Sequence, residues 1–232
     1  LMTLEELVGP TVYELGVNDL AGSHLADFTV KTIRLPLSGA EQYEYNRQYD
    51  IYRDYLKSRN IKIRSTRDYL NFVKRSGRDP EARRALTARN TAMDIALNSS
   101  SKIAYLKQLL KSNPSEKTLI FTSHNKLVYT LSKELLVPAI THQTPREERE
   151  EILSRFHSGD YMRVLTSRVL DEGVDVPDAS MAVILSGSGS NRQFVQRLGR
   201  ILRPSLGKEA ILFELVSAGT AEVYMSHRRK QR

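Results

Sequence analysis

The chain has 232 residues, of which 40% are hydrophobic and 27% are charged, a composition typical of a globular protein with a buried core. It contains no cysteine, which excludes a disulfide framework and a thiolate metal site, and no apolar run long enough to cross a bilayer. The formal net charge of +8 makes polyanions the first partners to consider, and without a spanning apolar run no membrane partner is expected.

The first 37 residues contain two strand-like stretches, at 11–15 and 29–35, with a short helix predicted between them at 18–26. We interpret residues 1–37 as a linking segment followed by the first strands of a larger domain. The opening letters LMTLEEL are typical of the middle of a protein. We therefore expect the chain to be the C-terminal portion of a larger enzyme.

Residues 38–98 are predicted to form a small subdomain of about three helices. Ser38 and Glu41 have the spacing of a capping box, and Asp79 with Pro80 is typical of a helix start. Tyrosines recur at helical spacing and favour a core, at Tyr45, Tyr49 and Tyr52. Between Glu41 and Asp94 there are 13 Lys and Arg against 8 Asp and Glu, so this segment supplies +5 of the net charge of +8.

From residue 99 to 232, short apolar strands alternate with amphipathic helices. Strands are predicted at 117–123, 138–142, 161–167, 181–186 and 210–216. Helices are predicted at 101–111 and 127–136, and from Thr144 as N-cap, with Pro145 as the first helical residue, to 158. This alternation predicts an α/β fold with a parallel sheet covered by helices on both faces, whose ligands gather at the carboxyl ends of the strands.

The segment QRLGRILRP (196–204) places Arg197, Arg200 and Arg203 at intervals of three, with Gly199 between the first two. Two interpretations are open: the solvated face of a core helix, or guanidinium groups directed at a polyphosphate. Glycine inside a helix costs on the order of 1 kcal/mol relative to alanine, which indicates a close approach at Gly199. Arginine also donates two hydrogen bonds to phosphate from one planar group, so the second interpretation is favoured.

The segment TSRVLDEGVDVPDAS (166–180) follows a predicted strand and is rich in acids. Such a stretch is most often only a turn. The pair Asp171 and Glu172 lies four residues beyond the strand, which argues against a magnesium-binding acidic motif at the strand end. No G-x-x-x-x-G-K-[ST] phosphate loop occurs either, because Lys208 is followed by Glu209.

Three segments, in order, resemble motifs IV, V and VI of the second motor domain of superfamily-2 helicases: LIFTSH (119–124), VLTSRVLDEGVDVP (164–177) and QRLGRILR (196–203). The sequences of the last two motifs, together with a basic helical insert, are most similar to the XPB-type DNA repair helicases. The resemblance implies a RecA-like, P-loop-NTPase-type domain over residues 99–232 and a thumb-like insert over 38–98.

By this resemblance, Arg200 and Arg203 are arginine fingers that reach the phosphates of ATP, which the first motor domain holds together with Mg²⁺. Gln196 is implied to position the nucleotide, and Gly173 and Asp175 to line the same cleft. The Walker A and B motifs belong to the N-terminal motor domain and do not occur in this chain. The chain alone is therefore expected to be inactive, with that N-terminal domain as its first partner.

Polar residues after two strands are predicted to contact the nucleic-acid backbone: Thr122, Ser123, His124, Thr166, Ser167 and Arg168. Hydroxyls and backbone N–H groups hold phosphates without reading sequence. Local capping of the next helix is the alternative, above all for Ser123. His124 and His142 lack further ligands at metal-binding spacing, so no metal site is predicted.

Basic residues of the insert are predicted to neutralise DNA phosphates: Lys62, Arg64, Arg67, Lys74, Arg75 and Arg78. Aromatic residues lie between them at Tyr55, Tyr69 and Phe72. Exposed aromatics could stack on unpaired bases or wedge at a duplex junction, whereas buried ones would form the core of the insert.

We therefore interpret the chain as the C-terminal motor half of an ATP-dependent DNA helicase or translocase. The resemblance implies nucleotide excision repair as its context, with a repair nuclease or a repair and transcription complex as possible partners. It implies a cytoplasmic location in a prokaryote and a nuclear one in a eukaryote. Two alternatives stay open: another superfamily-2 motor, such as a restriction-type translocase or an RNA helicase, and a non-catalytic nucleic-acid-binding module.

Overall fold

The structure is a computed structural model that describes residues 14–15, 28–167, 179–186 and 210–230. Its strands are β1 (Glu14–Leu15), β2 (Phe28–Leu35), β3 (Thr118–Phe121), β4 (Ala139–Ile140), β5 (Arg163–Thr166), β6 (Met181–Ile184) and β7 (Ala210–Ser217). Its helices are α1 (Gly39–Ser58), α2 (Thr66–Ser76), α3 (Pro80–Leu97), α4 (Ser100–Ser112), α5 (Asn125–Leu135), α6 (Arg146–Ser158) and α7 (Ala221–Lys230). None of the helices in these ranges is both long enough and apolar enough to span a membrane.

The strands form one sheet in the order β1-β2-β7-β6-β3-β5-β4. Only β1 and β2 are antiparallel; every other neighbouring pair in the described sheet is parallel. The longest pairing joins β2 to β7 over eight residues, so the segment before the insert is built into the same sheet as the segment near the C-terminus. Because β2 to β7 run the same way, their carboxyl ends share one edge.

Helices cover both faces of the sheet, as the alternation of side chains on β3 illustrates. Leu119 and Phe121 point into a cluster with Phe156 of α6, whereas Ile120 points into a cluster with Leu106 of α4 and residues of α5. Both faces are therefore apolar, which explains why the central strands are continuous hydrophobic runs rather than alternating ones. The predicted α/β class and the parallel sheet are confirmed.

The strands and helices predicted between residues 99 and 167, and the strands at 181–186 and 210–216, are confirmed with shifts of a few residues at their ends. The predicted helix at 18–26 and the arginine-bearing segment 191–203 lie outside the described residues. The division of the chain at residues 37 and 98 stays a prediction, although three helices do occupy the segment between β2 and α4.

These three helices, α1 to α3, begin where their capping residues predict. Ser38 and Glu41 form the expected capping box of α1, and Asp79 caps α3 with Pro80 in the first turn. A second capping box, Ser65 with Asp68, starts α2. Helix α3 packs along α1 through a row of buried alanines, whose small side chains let the two backbones come close: Ala82, Ala85, Ala88, Ala92 and Ala96.

The aromatic residues of this insert form its core. Tyr45 and Tyr52 are buried, as predicted, and the rings of Tyr52 and Tyr55 both pack against Phe72, with centroids 5.8 and 5.9 Å away. Phe72 is only 2% exposed. The alternative in which Tyr55 and Phe72 stack on bases is wrong, because both rings are enclosed by the insert itself.

A single carboxylate holds together the points where the chain enters and leaves the insert. Glu41 accepts hydrogen bonds from the Ser38 amide (2.9 Å) and, across 59 residues of chain, from the Ser100 amide (2.8 Å). Ser99, the N-cap residue of α4, makes no side-chain capping bond. Glu41 therefore supplies the negative charge at the α4 N-terminus that a helix dipole favours.

This arrangement makes the contribution of Glu41 to stability depend on pH. Burial raises the pKa of Glu41, but the hydrogen bonds from Ser100 and Ser38 outweigh it and hold the pKa below its usual 4.5. A carboxyl with a depressed pKa stabilises the folded state above its unfolded pKa and loses that effect as the pH falls. Glu41→Gln should lower Tm at pH 7, and the difference from wild type should shrink below pH 4.5.

Thermal unfolding followed by circular dichroism between pH 3 and pH 7 would measure this. Asp54→Asn, an exposed residue of the same helix, is the matched control and should leave Tm unchanged. A Tm difference for Glu41→Gln that is the same at both ends of the range would contradict the role given to the ionised carboxylate.

Candidate nucleic-acid interface

The carboxyl ends of the parallel strands bring polar residues together at one edge of the sheet. In the described residues, β3 leads to Ser123, β5 to Ser167, β6 to Ser186 and β4 to Thr141. Since β6, β3, β5 and β4 are neighbours in that order, their terminal hydroxyl groups follow one another along the edge. We call these residues the strand-end edge.

Ser186 is the centre of this edge. Its Oγ lies 2.9 Å from Thr122 Oγ1 and accepts hydrogen bonds from the backbone N–H and the hydroxyl of Ser123, each at 2.9 Å. One hydroxyl after β6 therefore fixes the turn after β3. The sequence alone does not mark Ser186 as a site residue. A serine after an apolar strand is a common pattern, and it indicates a site only when β6 is known to lie beside β3.

The alternative role of Ser123, capping of the next helix, is not realised. His124 is the N-cap residue of α5, without a side-chain capping bond, and the Ser123 hydroxyl is bonded to Ser186 instead. The His124 ring is directed towards the helical insert, where Nε2 lies 3.7 Å from Asp94 Oδ1 on α3. His124 therefore lies between the strand-end edge and the insert, with its Nε2 buried and without a hydrogen-bond partner in the part of the chain that the structure describes.

At the outer end of the edge, the prediction for the start of α6 was wrong. The helix begins at Arg146 with Pro145 as its N-cap residue, and Thr144 lies one position too early to cap it. The Thr144 hydroxyl instead accepts from the Thr141 backbone N–H at 2.9 Å, because this closer donor competes for it. Tyr129 closes the cluster by bonding Thr141 Oγ1 at 3.1 Å.

Of the predicted strand-end contacts, Ser123 is exposed and His124 is partly exposed. Thr122, Thr166 and Ser167 are covered, at 2 to 3% exposure. The Ser167 Oγ is buried and has no hydrogen-bond partner among the described residues. An unsatisfied buried hydroxyl retains its full capacity to donate. Contact of these five residues with nucleic acid stays a prediction.

The remaining predicted site residues are Arg168, Gly173, Asp175, Gln196, Arg200 and Arg203, and all of them lie outside the described residues. Their segments nevertheless start from known points. Arg168 directly follows Ser167 at the end of β5, and the stretch that carries the arginines follows Ser186 at the end of β6. Both segments thus begin at the strand-end edge, where a parallel sheet binds its ligands.

The basic residues of the insert are on its surface. Five of the six predicted cations are exposed: Lys62, Arg64, Arg67, Lys74 and Arg78. Within the described part of the chain, the side chains of these five make no hydrogen bond or ion pair. Arg75 is paired with Asp79 at 3.3 Å. Arg67 and Lys74 are two turns apart on α2, so they share one face of that helix.

Tyr69, the third aromatic of this segment, is also occupied. It packs against the core of the insert, and the Arg89 guanidinium lies 4.7 Å above its ring. Tyr69 is therefore not available to the basic face of α2, where the half-exposed Leu70 lies between Arg67 and Lys74. Such a surface attracts phosphate groups regardless of base sequence.

Comparison with known proteins places these features in context. Residues 101–205 match the family described as the helicase conserved C-terminal domain. The chain is 43% identical over 225 residues to the DNA 3'-5' translocase XPB2 of Sulfurisphaera tokodaii, covering 97% of this chain and 51% of that protein. It is 32% identical to the TFIIH basal transcription factor complex helicase/translocase XPB subunit of Trypanosoma brucei brucei, covering 98% of this chain and 22% of that protein.

Among solved structures, the chain resembles the C-terminal part of the Fun30 ATPase domain, with a TM-score of 0.61 at 14% identity, over 90% of this chain and 91% of that one. At this identity the likeness concerns the fold alone, and it confirms the RecA-like architecture expected from the sequence. The chain spans about half the length of the XPB2 relative and a smaller part of the other.

The Ser186 hydroxyl should be required for the strand-end edge to form. Ser186→Ala leaves the buried Thr122 hydroxyl without its hydrogen-bond partner and the Ser123 amide without its acceptor, and an unsatisfied buried polar group costs about 1–3 kcal/mol. We expect a loss of that size in the free energy of unfolding by urea. Ser112→Ala, at an exposed position at the end of α4, should change it by less than about 0.5 kcal/mol. Equal losses in the two variants would argue against this role of Ser186.

Proposed function

Since the chain belongs to the XPB-type superfamily-2 helicases and represents their C-terminal half, we propose that it is the second motor domain of an ATP-dependent DNA helicase or translocase. The observation that carries this proposal is the 43% identity that extends over 97% of the chain. It includes the basic helical insert as well as residues 101–205, to which the general helicase family is limited. An insert shared with a DNA translocase favours DNA over RNA as the substrate.

In this proposal the chain completes an ATP site that the N-terminal motor domain begins. Arg200 and Arg203 would reach the phosphates of ATP, Gln196 would position the nucleotide, and Gly173 and Asp175 would line the cleft. The guanidinium and amide groups of this set suit a polyphosphate, and Mg²⁺ would be held mainly by the other domain. A guanidinium that arrives only on domain closure stabilises the charge of the transition state more than that of the bound substrate.

DNA would be held by two surfaces of the chain. The cations of the insert would neutralise phosphates, and Ser123 with His124 would contact the backbone at the strand-end edge. Both kinds of contact ignore base identity. This suits a motor that moves along the backbone as the two domains close on ATP and open after hydrolysis.

Repair of damaged DNA is the proposed setting, with nucleotide excision repair as the specific pathway. It is supported by the XPB family, one of whose members in Trypanosoma brucei brucei is named a DNA repair helicase/translocase. Another relative is named a TFIIH subunit, which favours a repair or transcription complex as partner. The protein would act in the cytoplasm of a prokaryote or the nucleus of a eukaryote.

Arg203→Ala in the full-length protein tests the ATP site. DNA-stimulated ATP hydrolysis should fall by about a hundredfold or more, because an arginine finger contributes about 10³–10⁵ in rate to comparable phosphoryl transfers. DNA affinity should be retained. Arg146→Ala, at a 90% exposed side chain on α6, is the control and should hydrolyse ATP at the wild-type rate. An unchanged rate in Arg203→Ala would contradict the arginine-finger role and would indicate that the chain binds DNA without contributing to ATP hydrolysis.

The basic face of the insert can be tested separately by the salt dependence of DNA binding. The double variant Arg67→Ala/Lys74→Ala should bind duplex DNA more weakly, and the slope of log K against log salt should become shallower by about two units, about 0.9 for each lost phosphate contact. Lys111→Ala/Lys133→Ala removes the same charge from exposed positions on α4 and α5. Fluorescence anisotropy with a labelled duplex would measure both, and identical slopes for the two variants would exclude a specific role for the insert face.

A further inference from the structure

A charged pair is buried where the insert joins the sheet. Lys102 of α4 and Glu222 of α7 have side chains that are each 1% exposed, with Lys102 Nζ 2.6 Å from Glu222 Oε2. The ammonium group also donates to Glu222 Oε1 at 2.7 Å and to the Leu185 carbonyl at 3.0 Å. All three donors of the lysine are thus used, which is what allows a charge to be buried here.

On the glutamate side, the contacts lead into the insert. Glu222 Oε2 accepts from the Ser217 backbone N–H at 2.8 Å, and the Ser217 hydroxyl donates to the Ala96 carbonyl of α3 at 2.6 Å. A second link is made one residue before Glu222, where the Ala221 N–H donates to the Tyr45 hydroxyl of α1 at 2.7 Å. Two helices of the insert are therefore fastened to the start of α7.

On the lysine side, the contacts lead to the strand-end edge. Leu185, whose carbonyl Lys102 holds, directly precedes Ser186, and Ser186 Oγ accepts from the Ser123 N–H at 2.9 Å. Hydrogen bonds, linked through the covalent chain at Ser217 and at Leu185–Ser186, therefore lead from the Ala96 carbonyl in the insert to the Ser123 amide after β3. Lys102 is the residue that joins the two halves of this path.

We propose that Lys102 is a positioning residue that couples the insert to the strand-end edge. DNA held by the insert would then change the geometry at the carboxyl ends of β5 and β6, after which the segments proposed to contact ATP follow in the chain. This rests on the proposed function for its consequence in catalysis, but the coupling itself is a property of the described residues. A buried charge that loses its partner is strongly unfavourable, so the pair cannot loosen gradually. Movement at the base of the insert must therefore carry Glu222, Lys102 and the Leu185 carbonyl with it.

A purely structural pair is the competing explanation, and a double substitution separates the two. Lys102→Met or Glu222→Gln alone leaves a buried charge and should destabilise the protein. Lys102→Met/Glu222→Gln removes both charges with little change in volume, and the glutamine amide oxygen can still accept from the Ser217 N–H, so stability should be close to wild type. It also removes the donor to the Leu185 carbonyl. If the pair is only structural, restored stability will restore function; if it couples, function will stay impaired.

The control is the exposed pair of Lys107 on α4 and Glu134 on α5, whose side chains are 41% and 46% exposed. Lys107→Met/Glu134→Gln makes the same chemical change about 1.4 turns further along α4. It touches neither the insert nor the strand-end edge. We expect this control to keep the wild-type response to DNA.

The first measurement is the ratio of ATP hydrolysis with and without saturating duplex DNA, in the full-length protein. In Lys102→Met/Glu222→Gln this ratio should fall about tenfold, with Tm close to wild type and DNA affinity changed less than about twofold. A wild-type ratio in this variant would overturn the coupling. A fall that is accompanied by a lower Tm and weaker DNA binding would assign the pair a structural role and would equally overturn it.

The second measurement does not depend on ATP. Hydrogen exchange of the full-length protein should be about tenfold faster in peptides covering 119–124 in the double variant, because Lys102 no longer holds the Leu185 carbonyl beside Ser186, whose hydroxyl is the acceptor of the Ser123 amide. Peptides covering α6 should exchange as in wild type. If wild-type ATP hydrolysis does not respond to DNA, the proposed function fails, yet this exchange difference still tests the coupling. Unchanged exchange at 119–124 would overturn it.

Discussion

The structure depends on a constraint of connectivity: a helical segment of about sixty residues must leave a parallel sheet and return to it at one place. Glu41 meets this constraint because a single carboxylate accepts from Ser38, where the insert begins, and from Ser100, where it ends. The strand that leads into the insert, β2, pairs with β7 over its full length. The insert is therefore attached to the sheet itself and not to a flexible connection. Its cations therefore have a fixed relation to the strand-end edge.

The edge owes its chemistry to strand order as much as to residue type. Thr122, Ser123 and Ser186 are 63 or 64 positions apart across the two strands, and only the pairing of β3 with β6 brings them to hydrogen-bonding distance. The hydroxyl of Ser186 then limits the conformations of the turn after β3. For a surface that binds phosphates, such preorganisation increases the affinity, because the conformational entropy of the turn is lost once on folding and not at each binding event.

Much of the fold could be predicted from the sequence because its signals are local. Apolar runs gave the strands, and Ser38, Asp79 and Pro80 gave the helix starts, since caps act within one turn. Thr144 was mispredicted because a cap competes with other donors, and the nearby Thr141 amide proved the better partner. Ser186 and the Lys102–Glu222 pair could not be found, because their partners lie 63 to 120 residues away and are set by topology. The ordered motifs predicted the family without any of these contacts.

The burial of the aromatic residues also bears on how such a motor would move. Tyr55 and Phe72 are enclosed and Tyr69 is covered by Arg89, so the aromatic residues that lie between the cations are not free to stack on bases, whereas Tyr43 on α1 is 72% exposed. Base stacking would hold each nucleotide by about 1–3 kcal/mol and would have to be broken at every step. Ionic contacts with a uniformly charged backbone are nearly equivalent at successive positions, so they permit sliding without a deep minimum at each base. Under the proposed function, an insert that binds DNA through charge and is hydrogen-bonded to the sheet domain at its base would combine weak registry along DNA with transmission of movement to the sheet.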